Sequence, residues 1–162
     1  MATFKVSDGI DNYIDKLQTM LANTEGIIKR SAWEGARVMM DAVKAEAQTI
    51  PTHGSTKGST DVVVGLTPTQ KSGVIASLGI SRFREDGNFI NVKIGSDGYN
   101  TIYTAKYRQG QPNAMLIRAL ESGTSFRDPY PFVSRAVAKT RGKTIEAMRK
   151  QCDVEVKKYI QT

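Results

Sequence analysis

The chain has 162 residues, 40% of them apolar and 24% charged, which suits one domain with a real core. No apolar run approaches the ~20 residues of a membrane span, the lone Cys152 excludes an internal disulfide or a thiolate metal cluster, and the lone His53 excludes a multi-histidine metal site within one chain. The formal net charge of +7 is uneven: residues 1–50 carry −1, residues 51–112 carry +3 and residues 113–162 carry +5.

The opening MATFKVSDGIDNY has no apolar signal-peptide core, which predicts a protein made and kept in a cytoplasm. From residue 8 to 22, Ile10, Tyr13, Ile14, Leu17 and Leu21 recur at helical spacing, with Asp8, Asp11 and Asp15 where negative charge suits the helix dipole. After Asn23-Thr24-Glu25-Gly26, a second helix is predicted over about 25–48. Thr24 is placed to cap it, Gly26 weakens its first turn, and Pro51 stops it by Ile50. Its alanines predict close packing against another element.

Residues 51–73, rich in Thr, Ser and Gly, read as a mobile surface loop with room for one short strand at Val62-Val63-Val64. The clearest β signal follows. Val74, Ala76, Leu78 and Ile80 alternate with smaller or polar neighbours, Glu85-Asp86-Gly87-Asn88 makes a turn, and Ile90, Val92 and Ile94 return on one face. A hairpin over about 73–95 is predicted. Residues 96–112 form a second extended loop carrying Tyr99, Tyr103 and Tyr107, and alternation over 101–107 fits a strand or an extended arm. Residues 113–122 fit helix or strand; Asn113 as cap and Gly123 as stop favour a short helix. From Pro131 to about Ile160 the pattern is helical, with Val133, Val137, Ile145, Met148, Cys152, Val156 and Tyr159 near one stripe and a soft point at Gly142.

Catalytic signatures are weak. His53 sits in a Gly/Ser loop as an idle solvated side chain, and nothing local builds a triad from it with Cys152 or a serine. HGSTKGST has its lysine before the second glycine, and Gly142-Lys143-Thr144 lacks the first glycine of a phosphate loop. A non-enzymatic chain without cofactor or metal is expected. Its basic bias attracts nucleic acid nonspecifically, or is a solvated helix face.

The segment ESGTSFRDPYPFVSRAV reads as a stiff connector. Gly123 ends one element, Pro129 holds Asp128 extended, and Pro131 suits the first turn of the last helix. Phe132 is expected to anchor that helix where it meets the sheet.

The order of these features resembles the neck, or head–tail joining, proteins of tailed bacteriophages and prophages, also called tail-completion or minor tail proteins. The matching residues are Ala45, Ala47 and Pro51, then Gly73, Ala76, Ser77 and Leu78, then Glu121, Gly123 and Thr124, and finally Pro131, Phe132 and Ala136. Residues 51–73 and 99–112 are longer here than in the family pattern. The resemblance implies an α+β fold with long N-terminal helices, a small antiparallel sheet on the hairpin and a long C-terminal helix. It also implies a non-catalytic ring subunit of the virion, between the head connector and the tail tube or terminator, with DNA passing through the lumen. A tail terminator ring is a close variant, and a basic nucleic-acid-binding module is the alternative. The motif residues are Glu121, Gly123, Thr124, Pro129, Pro131, Phe132 and Ala136. Tyr99, Tyr103 and Tyr107 are candidate interface residues. Lys106, Arg108, Lys139, Arg141 and Lys143 are candidate DNA-facing residues, with pairing to neighbouring subunits or plain solvation as the rival readings.

Overall fold

The computed structural model describes residues 7–54, 61–87 and 89–160. The lysine and second glycine of HGSTKGST, and Asn88 of the hairpin turn, lie outside the described residues.

The described residues begin with two amphipathic helices, α1 (Ser7–Ala22) and α2 (Thr24–Gln48). Asn23 alone separates them, and its N–H still bonds the carbonyls of Thr19 and Met20. Thr24 is not a cap. It is the first residue of α2, and its hydroxyl donates back to the Met20 carbonyl. The helix ends at Thr49, whose N–H reaches the carbonyls of Ala47 and Glu46.

Within the predicted loop over 51–73, residues 61–73 are more ordered than their composition suggests. They supply β1 (Val63–Val64) and a fully buried Leu66, then turn into α3 (Pro68–Ser77). The predicted strand start at Val74–Ser77 is therefore helix. Thr67-Pro68-Thr69-Gln70 decides it: the Gln70 N–H donates to the Thr67 hydroxyl, the Thr67 N–H donates to the Gln70 side-chain oxygen, and Pro68 fills the first helical position. Gln70, Val74 and Leu78 face inward at a spacing of four, a helical repeat that the alternation of 74–80 also satisfies.

The hairpin survives in shortened form. β2 (Leu78–Ile80) pairs antiparallel with β5 (Ile94–Ser96), and β3 (Arg84–Asp86) pairs antiparallel with β4 (Phe89–Asn91). Ser81 bridges the gap between the two ladders: its N–H donates to the Lys93 carbonyl and its hydroxyl accepts from the Lys93 N–H. Ile90, Val92 and Ile94 are half-buried on one side, as their alternation predicts. The hairpin leans on α2, with Phe83 and Trp33 ring centroids 6.0 Å apart and a Lys29–Glu85 ion pair of 2.6 Å.

Helix α4 (Asn113–Ser122) follows, with Pro112 at the cap position that sequence assigns to Asn113. Then β6 (Arg127–Asp128) pairs parallel with β1, a contact that no sequence signal announces. Finally α5 (Phe132–Ile160) runs 29 residues straight through Gly142 without a break.

The fold is α+β. Its core joins Met40, Val43, Ala47 and Ile50 at the end of α2 with Leu66, Val74 and Leu78, with Leu116 and Leu120 of α4, and with Phe132 and Ala136 opening α5. Beyond this head, α2 and α5 continue side by side as an antiparallel stalk. Glu46 pairs with Arg135 and Lys139, Met39 lies on Thr140, a side chain at Gly35 would meet Thr144 and Met148, and Arg30 pairs with Glu155. At ~1.5 Å per residue, the stalk helices are on the order of 40 Å long. Along the stalk only a thin seam is buried: Ile27, Ser31, Gly35 and Ala36 of α2, and Glu155 of α5. Much of the predicted α5 stripe therefore stays exposed, including Val137, Ile145 and Met148. Cys152 is half-buried and in no disulfide.

Candidate assembly surfaces

The connector between α4 and α5 is a clasp that fixes the head of the stalk. Gly123 ends α4 at φ 71, a left-handed value that glycine adopts without strain. A β-carbon there would stand 3.1 Å from Pro129 Cδ. Thr124 and Arg127 exchange backbone hydrogen bonds of 2.8 and 3.2 Å, closing a tight turn before β6. The chain then extends through Pro129 to Tyr130, whose N–H reaches the Leu120 carbonyl at 2.6 Å.

Glu121 gives the Glu-x-Gly-Thr motif its physical reason. Its carboxylate accepts from the N–H of Val133 at 2.7 Å, from the N–H of Ser134 at 3.3 Å and from the Ser134 hydroxyl at 2.7 Å. The end of one helix thus caps the start of the next, satisfying orphan amides and opposing the positive end of the α5 dipole. Pro131 stands just before α5, its carbonyl accepting from Arg135, one position earlier than expected. Phe132 is buried as predicted, and Ala136 is buried beside it. Phe132, however, closes a core made mainly by helices α2, α3 and α4 rather than meeting a sheet.

Sequence reasoning missed the side chains that tie this clasp to α2. The Tyr130 hydroxyl donates to the Thr49 carbonyl at 2.9 Å and lies 3.0 Å from the Thr49 hydroxyl. The Arg135 guanidinium stacks on the Tyr130 ring at 4.0 Å and reaches Glu46 at 3.3 Å. Lys139 pairs with the same Glu46 carboxylate. The Lys139 hydrogen bond, with charge from Arg135, holds the Glu46 carboxyl below its ordinary value. Glu46 lies 89 and 93 residues from these two partners, so nothing local marks it.

The loop over residues 99–112 is held by its own polar groups. Buried Asn100 accepts from the N–H of Ile102 at 2.8 Å, and Gln111 bonds Gln70 of α3 at 2.7 Å. Gly110 sits at φ 99, and a β-carbon there would fall 1.9 Å from the Asn100 carbonyl oxygen. An open groove of about 620 Å³ runs between this loop and α3, bordered by Gly73, Ala76, Tyr99 and Asn100.

The three candidate interface tyrosines divide. Tyr99 and Tyr103 are exposed, Tyr103 by 67%. Tyr107 turns inward instead, and its hydroxyl donates to Met115 Sδ at 3.0 Å. The five candidate DNA-facing cations stand on two separate elements. Lys106 and Arg108 are exposed on the loop, with Lys106 5.6 Å from the Tyr107 ring centroid. Arg141 and Lys143 are exposed on α5, whereas Lys139 is engaged by Glu46. His53 is not solvated as expected. Its ring is half-buried, with Nδ1 2.7 Å from the Gly54 carbonyl oxygen.

Among the described residues, no helix is long and apolar enough to cross a membrane, and no group of three His, Cys, Asp or Glu side chains is placed to hold a metal ion. Compared with family models, curated proteins and solved structures, the chain matches none.

Proposed function

We propose that this chain is a structural subunit of a phage neck, assembling into a ring that joins the head connector to the tail and lets DNA pass. The observation that carries the reading is the stalk. Helices α2 and α5 leave the core behind and display Ile28, Val137 and Ile145, apolar surface that a lone subunit has no use for. The clasp supports it as well, because the residues of the neck-protein resemblance are the ones that aim the stalk: Glu121 caps α5, Gly123 turns the chain and Phe132 seals the head. Partners are further copies of the chain, connector or head-completion proteins on one side, and tube or terminator proteins on the other. The role is non-catalytic and the place is the virion.

A tail terminator ring would use the same surfaces. Direct nucleic-acid binding is favoured by one observation, the exposed Tyr103 beside Lys106 and Arg108 on a single loop.

Deleting the gene from the phage or prophage that carries it tests the reading. Filled heads and finished tails that accumulate unjoined, and join when purified protein is added, are the expected outcome. Normal particles from the deletion overturn it. Overlong tails would move the assignment to the terminator. Unaltered particles together with a salt-dependent DNA shift by the isolated protein would favour the nucleic-acid module.

A further inference from the structure

The apolar stripe of α1 is largely uncovered. Ile10 is 54% exposed and Leu21 67%, with Tyr13 and Ile14 exposed between them. Asp11 and Asp15 flank this stripe, both exposed and neither paired with a cation among the described residues. In sequence, α1 carries three aspartates against one lysine.

A second uncovered stripe lies on α5. Val137 and Ile145, eight residues apart, share one side of the helix and both are exposed, whereas Met148 beyond them lies on Gly35 of α2. Arg141 falls on the same side between Val137 and Ile145, and Arg149 adjoins Met148. Both are exposed, and no acid among the described residues pairs with either. In sequence, α5 holds eight Lys/Arg against three Asp/Glu.

The two stripes of one chain do not meet. Met148 is level with Gly35 of α2, while α2 begins eleven residues earlier at Thr24, about 16 Å away along the axis. α1 starts from that far end. It touches α5 of its own chain, and the stripe nonetheless stays exposed. Folding α1 back would break the backbone hydrogen bonds that run through Asn23, from its N–H to Thr19 and from the Ile27 N–H to its carbonyl.

We propose that α1 is a docking arm whose apolar, acid-flanked face lies on the apolar, arginine-bearing face of α5 in a second copy of this chain. Charge selects this pairing over the symmetric ones. Two α1 helices face to face set Asp11 and Asp15 against their like, and two α5 helices do the same with Arg141 and Arg149, which is unfavourable. Only α1 on α5 brings opposite signs together over apolar contact. Such a contact is heterologous: each copy gives an arm and receives one, so the chain closes into a ring or grows as a filament. The inference rests on reading the chain as an assembling subunit, and it names the surfaces that assemble.

The test is a charge swap on the full chain, read by sedimentation and light scattering, with helical content and melting as the check on folding. Asp11→Arg with Asp15→Arg, and separately Arg141→Glu with Arg149→Glu, should each weaken self-association about tenfold or more. The variant with all four changes should regain it, because the arm is then basic and the face acidic. A monomeric wild type, double variants that assemble normally, or a four-fold variant as weak as the doubles would each overturn the proposal.

Covalent capture covers the case in which a reversal prevents folding. Ile14→Cys with Ile145→Cys in a Cys152→Ser background should give a ladder of disulfide-linked multimers on mild oxidation. A cross-linked monomer, or no ladder, overturns the proposal. The neck reading fails separately. If assembly follows the charge swap while gene deletion leaves head–tail joining intact, the docking stands and the neck assignment falls. If joining needs the gene but assembly ignores the swap, the reverse holds.

Discussion

Single side chains in the clasp control the head. Phe132 is fully buried at the convergence of α2, α3 and α4, so Phe132→Ala should destabilise by about 3–5 kcal/mol, read by chemical denaturation. Glu121→Ala removes the cap of α5 and should cost about 0.5–2 kcal/mol, whereas Glu121→Gln should cost less because its amide oxygen still accepts a hydrogen bond. Acid should act through two carboxylates. Lys139 holds the Glu46 carboxyl low, and Lys158, aided by Arg30, does the same for Glu155, which is only 3% exposed. A carboxyl depressed in the folded state stabilises above its unfolded value of about 4.3 and loses that contribution as pH falls through the folded value. Stability should therefore be flat in these two groups from neutral pH to about 5 and fall below about 4. The double variant Glu46→Gln/Glu155→Gln should be weaker at pH 7 and show a shallower acid decline, measured by melting temperature against pH.

Elements differ in how plainly the chain announces them. Helices α1, α2 and α5 were legible because their apolar repeat runs for many turns, and α4 because Gly123 punctuates it. Residues 74–77 were not, since a short alternating run of apolar side chains fits strand and helix alike. The Thr67–Gln70 capping box was the signal that settled it. The parallel β1–β6 contact has two residues on each side and leaves no mark at all. Gly142 reads as a break, but it is a helix interior with open space around the missing side chain. Gly142→Ala should therefore stabilise α5 by about 0.5–1 kcal/mol, visible as a raised denaturation midpoint. Gly110→Ala should act the opposite way. Its left-handed φ and the nearby Asn100 carbonyl leave no place for a methyl group, so protection from hydrogen exchange over 99–112 should drop while the core keeps its own.

At the scale of the molecule, stability is concentrated at one end. The core lies where α2 finishes and α5 begins, and the far part of the stalk keeps a thin seam with exposed apolar flanks. Hydrogen exchange on the free subunit should find the slowest amides at Val43, Leu120 and Ala136, with α1 opening first; uniform protection along the stalk would contradict this gradient. The general architecture was readable because long helices write their pattern locally. What tied them was not, because Glu46 meets Arg135 and Lys139 across most of the chain and the seam of α2 looks in sequence like any alanine-rich face. Neither surface proposed for docking is encoded as a motif; each appears only once the fold shows which apolar side chains it leaves uncovered.

The antiparallel pairing of α2 with α5 also dictates an order of events during synthesis. The long helix that covers most of α2 along the stalk, α5, is translated only after the hairpin, α3, the tyrosine loop and α4 have emerged. Until then the part of α2 that α5 covers, Ala36 and Met39 among it, waits without that partner, a sticky face on a nascent chain. Contacts closed across so many residues are slow to form. Neighbouring nascent chains on one messenger are therefore exposed to each other through that unfinished face. Production at high density should favour aggregation, and slowed translation or a chaperone that shields helical apolar surface should raise the soluble yield.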